Sequence, residues 1–230
     1  PDHPETVFVL ANLALVARAQ GRLTDALEDL GRALRVVELS SGPDHVNAAS
    51  IRQNLGSVLQ QLGRSDEALV EFERALVIRE QAVGPAHPEV ATLRANIGTI
   101  LALQGKSGAA GPMLRRSLAD LEAALGPEHP DLADPLLGLC ELGLRTRDPT
   151  AALLAAERAL RLRAEASPGD LALARFAVAR ALVASGGDRA RALELAHAAR
   201  QALPPASAEL PALDRWLARP ERGQVRGTYP

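Results

Sequence analysis

The chain has 230 residues and a net charge of −2, and 47% of it is hydrophobic although it holds only three Phe, one Tyr and one Trp. So small a net charge gives no general attraction to nucleic acid or an anionic membrane, no apolar run reaches the roughly 18 residues of a membrane span, and the single cysteine, Cys140, excludes an intrachain disulfide. The apolar mass is Ala, Leu and Val, which suits close-packed helices. Charge is uneven: residues 1–144 carry 12 basic and 19 acidic side chains, residues 145–230 carry 14 and 9. Solvated helix faces account for that asymmetry. No signal peptide is visible, and a cytoplasmic location is expected. The chain opens on Pro1 rather than Met, so a longer parent protein is expected as well.

A turn recurs every 42 residues: Gly42-Pro43-Asp44-His45, Gly84-Pro85-Ala86-His87-Pro88 and Gly126-Pro127-Glu128-His129-Pro130, with Pro1-Asp2-His3-Pro4 as the tail of a further copy. A fixed period of this size signals a repeat array. The expected units are 1–42, 43–84, 85–126, 127–167 and 168–203, then a capping helix over 204–219 and a flexible tail over 220–230.

Each unit reads as two helices. In the first, Glu5 to about Gln20 carries Val9, Leu10, Leu13, Ala14, Val16 and Ala17 on one wide face, and Asp25 to about Leu39 follows after Gly21. The second pairs Val46–Leu62 with a helix to about Val83, with Ser65 as the expected N-cap. The third pairs Pro88–Leu103 with a helix to about Leu125. Pro112 predicts a late start or a bend there. The fourth pairs Pro130 to about Leu144, irregular at Pro135, with Thr150–Ala166. The fifth loses the His turn and pairs Leu171–Ala184 with Arg189–Leu203. Ala206–Leu217 is expected to cover the last open apolar face, with Trp216 packed on the fifth unit.

In-step positions show what the period fixes. Gly21, Gly63 and Gly105 align, as do Ala26, Ala68, Ala110 and Ala152, and Leu13, Leu55, Ile97 and Leu139. The slot after that Leu is always small: Ala14, Gly56, Gly98, Cys140. Helix must cross helix closely there, which makes Cys140 a core residue. The order Leu-(Gly/Ala), turn Gly, Ala, then Ala-Leu resembles the tetratricopeptide repeat, although that repeat usually spans about 34 residues. The 42-residue period, Leu125-Gly126-Pro127-Glu128-His129-Pro130, the Asn-Leu pairs at 12–13 and 54–55, Asn96-Ile97, and the run Arg74–Glu80 are similar to the kinesin-light-chain type found in many bacterial proteins. The resemblance implies an all-α fold, a right-handed α-solenoid of antiparallel helix pairs, and a scaffold that binds a protein or peptide in its concave groove.

The repeated histidines cannot share a metal. Equivalent helices stack roughly 8–10 Å apart, whereas zinc holds nitrogen at about 2.0–2.1 Å. Each His instead ends a loop at or near an N-cap, and the Pro after three of them suits the first helical position. No metal, cofactor or catalytic constellation is read from the sequence. Asn12, Asn54 and Asn96 are in step. They share a helix face with Ser50, Ser57 and Gln61, and with Thr92 and Thr99, away from the apolar stripe. The resemblance implies that this face lines the groove. A column of amides offers donors and acceptors to an extended main chain; it could equally tie neighbouring helices together. Arg52 and Arg94 are expected near the helix edge, in reach of acidic groups on a ligand. Self-association is a further expectation. The alternative reading is a C-terminal recruitment region of a larger bacterial signalling enzyme, such as a serine/threonine kinase.

Overall fold

The computed structural model describes residues 4–205 and 207–219. The first three residues with His3, Ala206, and the tail expected over 220–230 lie outside the described residues. The described residues form eleven α-helices: α1 (Pro4–Ala19), α2 (Leu23–Ser41), α3 (Val46–Gln61), α4 (Ser65–Val83), α5 (Pro88–Leu103), α6 (Ser107–Leu125), α7 (Ala133–Thr146), α8 (Pro149–Leu162), α9 (Pro168–Ala184), α10 (Arg189–Ala202) and α11 (Leu210–Ala218). A 3₁₀ turn over Pro130–Leu132 leads into α7. The fold is an all-α stack of helix pairs. It packs as two compact units that divide between Leu93 and Arg94, inside α5.

The turns that set the period work as hydrogen-bonded caps. The imidazole Nδ1 of His45, His87 and His129 accepts the backbone N–H of Asn47, Glu89 and Asp131, each at 3.2 Å. Each therefore satisfies one of the orphan donors that open a helix. At the other turn, between the two helices of a pair, Gly21, Gly63 and Gly105 are left-handed, with φ of 74°, 76° and 76°. The in-step residue of the fourth pair is Arg147, and it adopts φ 60° without the licence of glycine. Arg147→Gly should therefore stabilise the protein by about 0.5–1 kcal/mol, since relief of the side-chain clash outweighs the entropy glycine costs. The midpoint of thermal unfolding would rise; a fall would show that Arg147 sits there unstrained.

Three local expectations are corrected. Ser65 is the first residue of α4, not its cap; Arg64 precedes the helix and pairs with Glu67 at 2.6 Å. Pro112 neither delays nor interrupts α6, which is as long as α2 and α4. The ring is exposed, and the carbonyl it leaves without a donor belongs to Gly108, which is also exposed. The capping helix is shorter than expected, starting at Leu210. Pro135 does coincide with irregularity: the 3₁₀ turn moves it to the third position of α7, where no backbone donor is required.

In the first unit the core runs from Leu10, Ala14 and Ala17 through Leu30, Ala33 and Val37 to Ile51, Leu55 and Val58. The wide stripe read on α1 is only half buried. Val9, Leu13 and Val16 are 57%, 51% and 52% exposed, while their in-step counterparts Ile51, Leu55 and Val58 are 3%, 6% and 1% exposed. Residues of the same type differ because α3 has α2 against it on that side. The core of the second unit ends on α11, where Leu213 is fully buried and Trp216 meets Phe176 of α9 edge-on, ring centroids 5.8 Å apart.

Each pair is keyed at the small slot. A Cβ on Gly56 would stand 2.8 Å from the Phe72 ring, and one on Gly98 would stand 2.7 Å from Leu114 Cγ. Sixteen residues separate slot and partner throughout, giving Ala14 with Leu30, Gly56 with Phe72, Gly98 with Leu114 and Cys140 with Ala156. The glycine slots face Phe72 and Leu114 while the bulkier Cys140 faces only Ala156, and all four partners are buried. Close packing requires this exchange of volume.

Candidate protein-binding surfaces

On α3, burial of Ala48, Ala49, Ile51, Leu55, Val58 and Leu59 leaves Ser50, Asn54, Ser57 and Gln61 as a half-buried polar strip. Their offsets of four, three and four residues keep them on one face. Asn12 is exposed on α1, and Thr92 is half-buried on α5 within the same unit. In the second unit Asn96 and Thr99 are half-buried. Among the described residues, no hydrogen bond engages the amides of Asn12, Asn54, Asn96 or Gln61. Their donors and acceptors are therefore unspent within the described residues.

The hydroxyls behave differently. Ser57 Oγ donates to Gln53 O at 3.1 Å and Thr92 Oγ1 to Pro88 O at 3.1 Å, in the i−4 pattern of helical Ser and Thr. Ser50 accepts from the Arg79 guanidinium. Thr99 Oγ1 lies 2.5 Å from where a Cβ on Gly138 would be. That approach explains why the Asn series stops: Gly138 is in step with the asparagines, and a side chain there would strike Thr99 and Leu114.

Arg52 and Arg94 are not free for a ligand. Arg52 is 8% exposed and held by Glu38 and Glu71, the latter at 2.7 Å. Arg94 pairs with Asp120 at 3.0 Å. The acids that draw them belong to the neighbouring second helices, α2, α4 and α6. Two further arginines, 84 residues apart, bridge helices in the same way. Arg79 of α4 reaches Ser50 of α3 and Glu89 of α5; Arg163, just past α8, reaches Asp134, just inside α7, and Asp170 of α9. In α7 the buried Glu141 lies between Arg145 at 2.7 Å and Arg180 of α9 at 2.9 Å. Burial pushes its carboxyl up, but the two guanidinium groups outweigh that and hold it below the ordinary glutamate range. Cys140, 1% exposed, has its thiol pushed up to about 12 by burial, so it is an inert core group. Among the described residues no three His, Cys, Asp or Glu side chains come together as a metal set, and no helix is long and apolar enough to cross a membrane.

The second unit also holds hollows. One, of about 650 Å³, sits between α10 and α11 beside Arg200, Leu203 and Pro211. Another, of about 630 Å³, opens between α6 and α8 over α7. The latter is absent from the sequence-based expectations, although a break in the period marks it: Gly111 stands where the other pairs have Leu27, Leu69 and Leu153.

A comparison with curated protein sequences finds no match. Among solved structures, BtubC (BKLC) from P. vanneervenii is similar at 22% identity and a TM-score of 0.63, over 84% of this chain and 78% of that one. A Podosopora anserina kinesin-light-chain-type protein of nearly identical TPR-like repeats gives 20% identity and a TM-score of 0.63, over 87% and 96%. A single-residue variant of that protein gives 20% and 0.64, over 87% and 95%. These likenesses show the fold, an α-solenoid of kinesin-light-chain-like repeats. The tetratricopeptide repeat model matches residues 5–81, 53–123 and 89–165, well over half of the sequence. The His-capped 42-residue helix pairs, keyed by a small residue against a large one, are repeats of that kind, and the chain belongs to the tetratricopeptide repeat family.

Proposed function

We propose that the chain is a cytoplasmic interaction scaffold that binds an extended protein segment along the first helices of its pairs. The observation that supports this reading is the row of in-step amides without partners in the protein. An amide carries two donors and an acceptor with two lone pairs, so Asn12, Asn54 and Asn96 suit a peptide main chain, whose own N–H and C=O groups alternate. Binding energy would come from many such contacts on a preformed surface rather than from one deep pocket. The family favours the same role, since its repeats generally serve protein–protein interaction.

Self-association would be a second use of the same fold. Recruitment for a larger signalling enzyme would employ the same surfaces. The test is a pull-down with the full chain, peptide mapping of the captured partner, and hydrogen exchange on the complex. Protection concentrated on residues 50–61 of α3 is expected. Protection confined to the second helices would move the binding site off the amide strip.

A further inference from the structure

The hollow between α6 and α8 has a cause in the sequence. In the first, second and fourth pairs the position of Gly111 is held by a half-buried leucine. Here that side chain is missing, and a Cβ built on Gly111 would lie 3.4 Å from Leu142 Cδ2, in ordinary contact. The space left open is floored by Leu136, Leu139 and Leu142 of α7 and walled by Leu154 of α8, which is 70% exposed. All four are aliphatic. A second departure from the period stands beside the first. Position 115 is Arg, while its counterparts one period either side are Glu73 and Glu157. The Arg115 guanidinium lies over Gly111, its nitrogens 3.2 and 3.3 Å from the built Cβ. Among the described residues it has no hydrogen-bond or ion-pair partner. The other charges at the rim are already engaged: Arg158 binds Glu122 and the Pro127 carbonyl, and Asp148 caps α8 through Ala151 N.

We propose that this groove docks a segment of a partner protein presenting an aliphatic side chain one helical turn from a carboxylate. The aliphatic group packs on the floor of Leu136, Leu139 and Leu142 beside position 111, and the carboxylate pairs with the Arg115 guanidinium that lies over Gly111. Exchange of a leucine for a glycine opens the apolar floor, and exchange of a glutamate for an arginine supplies an unspent positive charge beside it. An unpaired guanidinium at the edge of a partly desolvated apolar site favours a carboxylate in bidentate geometry. The site shares no residue with the amide strip, so the two can fail separately.

The test uses the full chain and two fluorescein-labelled peptides of about 12 residues, some three helical turns. One places leucines one helical turn from glutamates; the other has lysine in place of every glutamate. Anisotropy should show the glutamate peptide binding at least about tenfold tighter than its lysine twin at low salt, as a charge-assisted pair predicts. Gly111→Leu restores the residue of the in-step pairs, and its Cβ meets the flexible end of Arg115 and the Leu142 methyl, neither of them backbone, so it should fold. It should weaken the glutamate peptide by a similar factor. Arg115→Glu should do the same and raise affinity for the lysine peptide. The proposal is overturned if neither peptide binds, if binding ignores peptide charge, or if both groove variants bind as wild type. Sedimentation showing a dimer that Gly111→Leu dissociates would assign the groove to a second copy and overturn it too.

Discussion

Phe72→Leu combined with Gly56→Ala should leave the protein within about 1 kcal/mol of wild-type stability, although each change alone destabilises it. Gly56→Ala puts a methyl 2.8 Å from a ring that is fully buried and cannot swing aside. Overpacking of that kind costs about 1–3 kcal/mol, against which the better helix propensity of alanine returns about 1. Phe72→Leu alone opens a void against Gly56 and should cost about 1–2 kcal/mol; Phe72→Ala should cost about 3–5. The double variant restores the match because it rebuilds the Ala14–Leu30 set of the first pair, which the protein already packs with both residues buried. Denaturant unfolding of the four species gives the coupling energy directly. Simple additivity would mean that the crossing of α3 and α4 is not set by the fit of these two side chains.

Glu141→Gln should cost about 3 kcal/mol at neutral pH, because it leaves Arg145 and Arg180 facing a buried neutral group. Glu141 is 6% exposed and ties α7 to α9 through Arg180, whose guanidinium also lies 5.8 Å over the Phe176 ring. The carboxyl is held below its ordinary value of 4.5 in the folded protein. Its contribution is therefore fully present above that value and is lost as the pH falls through the lowered folded one. Wild type and variant should differ most at neutral pH and converge in strong acid. A stability gap that stays constant from neutral to acid pH would mean that the loss comes from packing, not charge.

Much of this architecture is legible in the sequence because the period repeats physical tasks. His45, His87 and His129 recur because a backbone N–H must be accepted at each helix start. The slot of Gly56 and Gly98 is small because another helix crosses there. Expectation and structure part where a side chain's surroundings depend on a neighbour that the period does not reveal. Val9, Leu13 and Val16 carry the core pattern, yet nothing among the described residues covers them as α2 covers Ile51 and Leu55. Arg52 and Arg94 lie two residues from the asparagines, far enough around the helix to meet acids on α2, α4 and α6 instead of solvent. Thr99 shares the strip's spacing but faces Gly138 of the next pair. The Gly111 groove is visible only as a gap in an aligned column, and the positions that agree say nothing about the one that does not. Pro112 sits inside a helix without breaking it because the carbonyl it frees, at Gly108, is exposed.

Recognition by the unpartnered amides of the first helices is tested most directly by a dissociation constant. It is measured for the mapped partner segment on wild type and on the Asn54→Ala, Asn96→Ala double variant, with the helical circular dichroism and unfolding midpoint of both recorded. Two lost sets of main-chain hydrogen bonds at about 1 kcal/mol or more each predict a complex weaker by roughly tenfold or more, with unchanged helicity and midpoint. Equal affinity in the two proteins would contradict recognition through these amides.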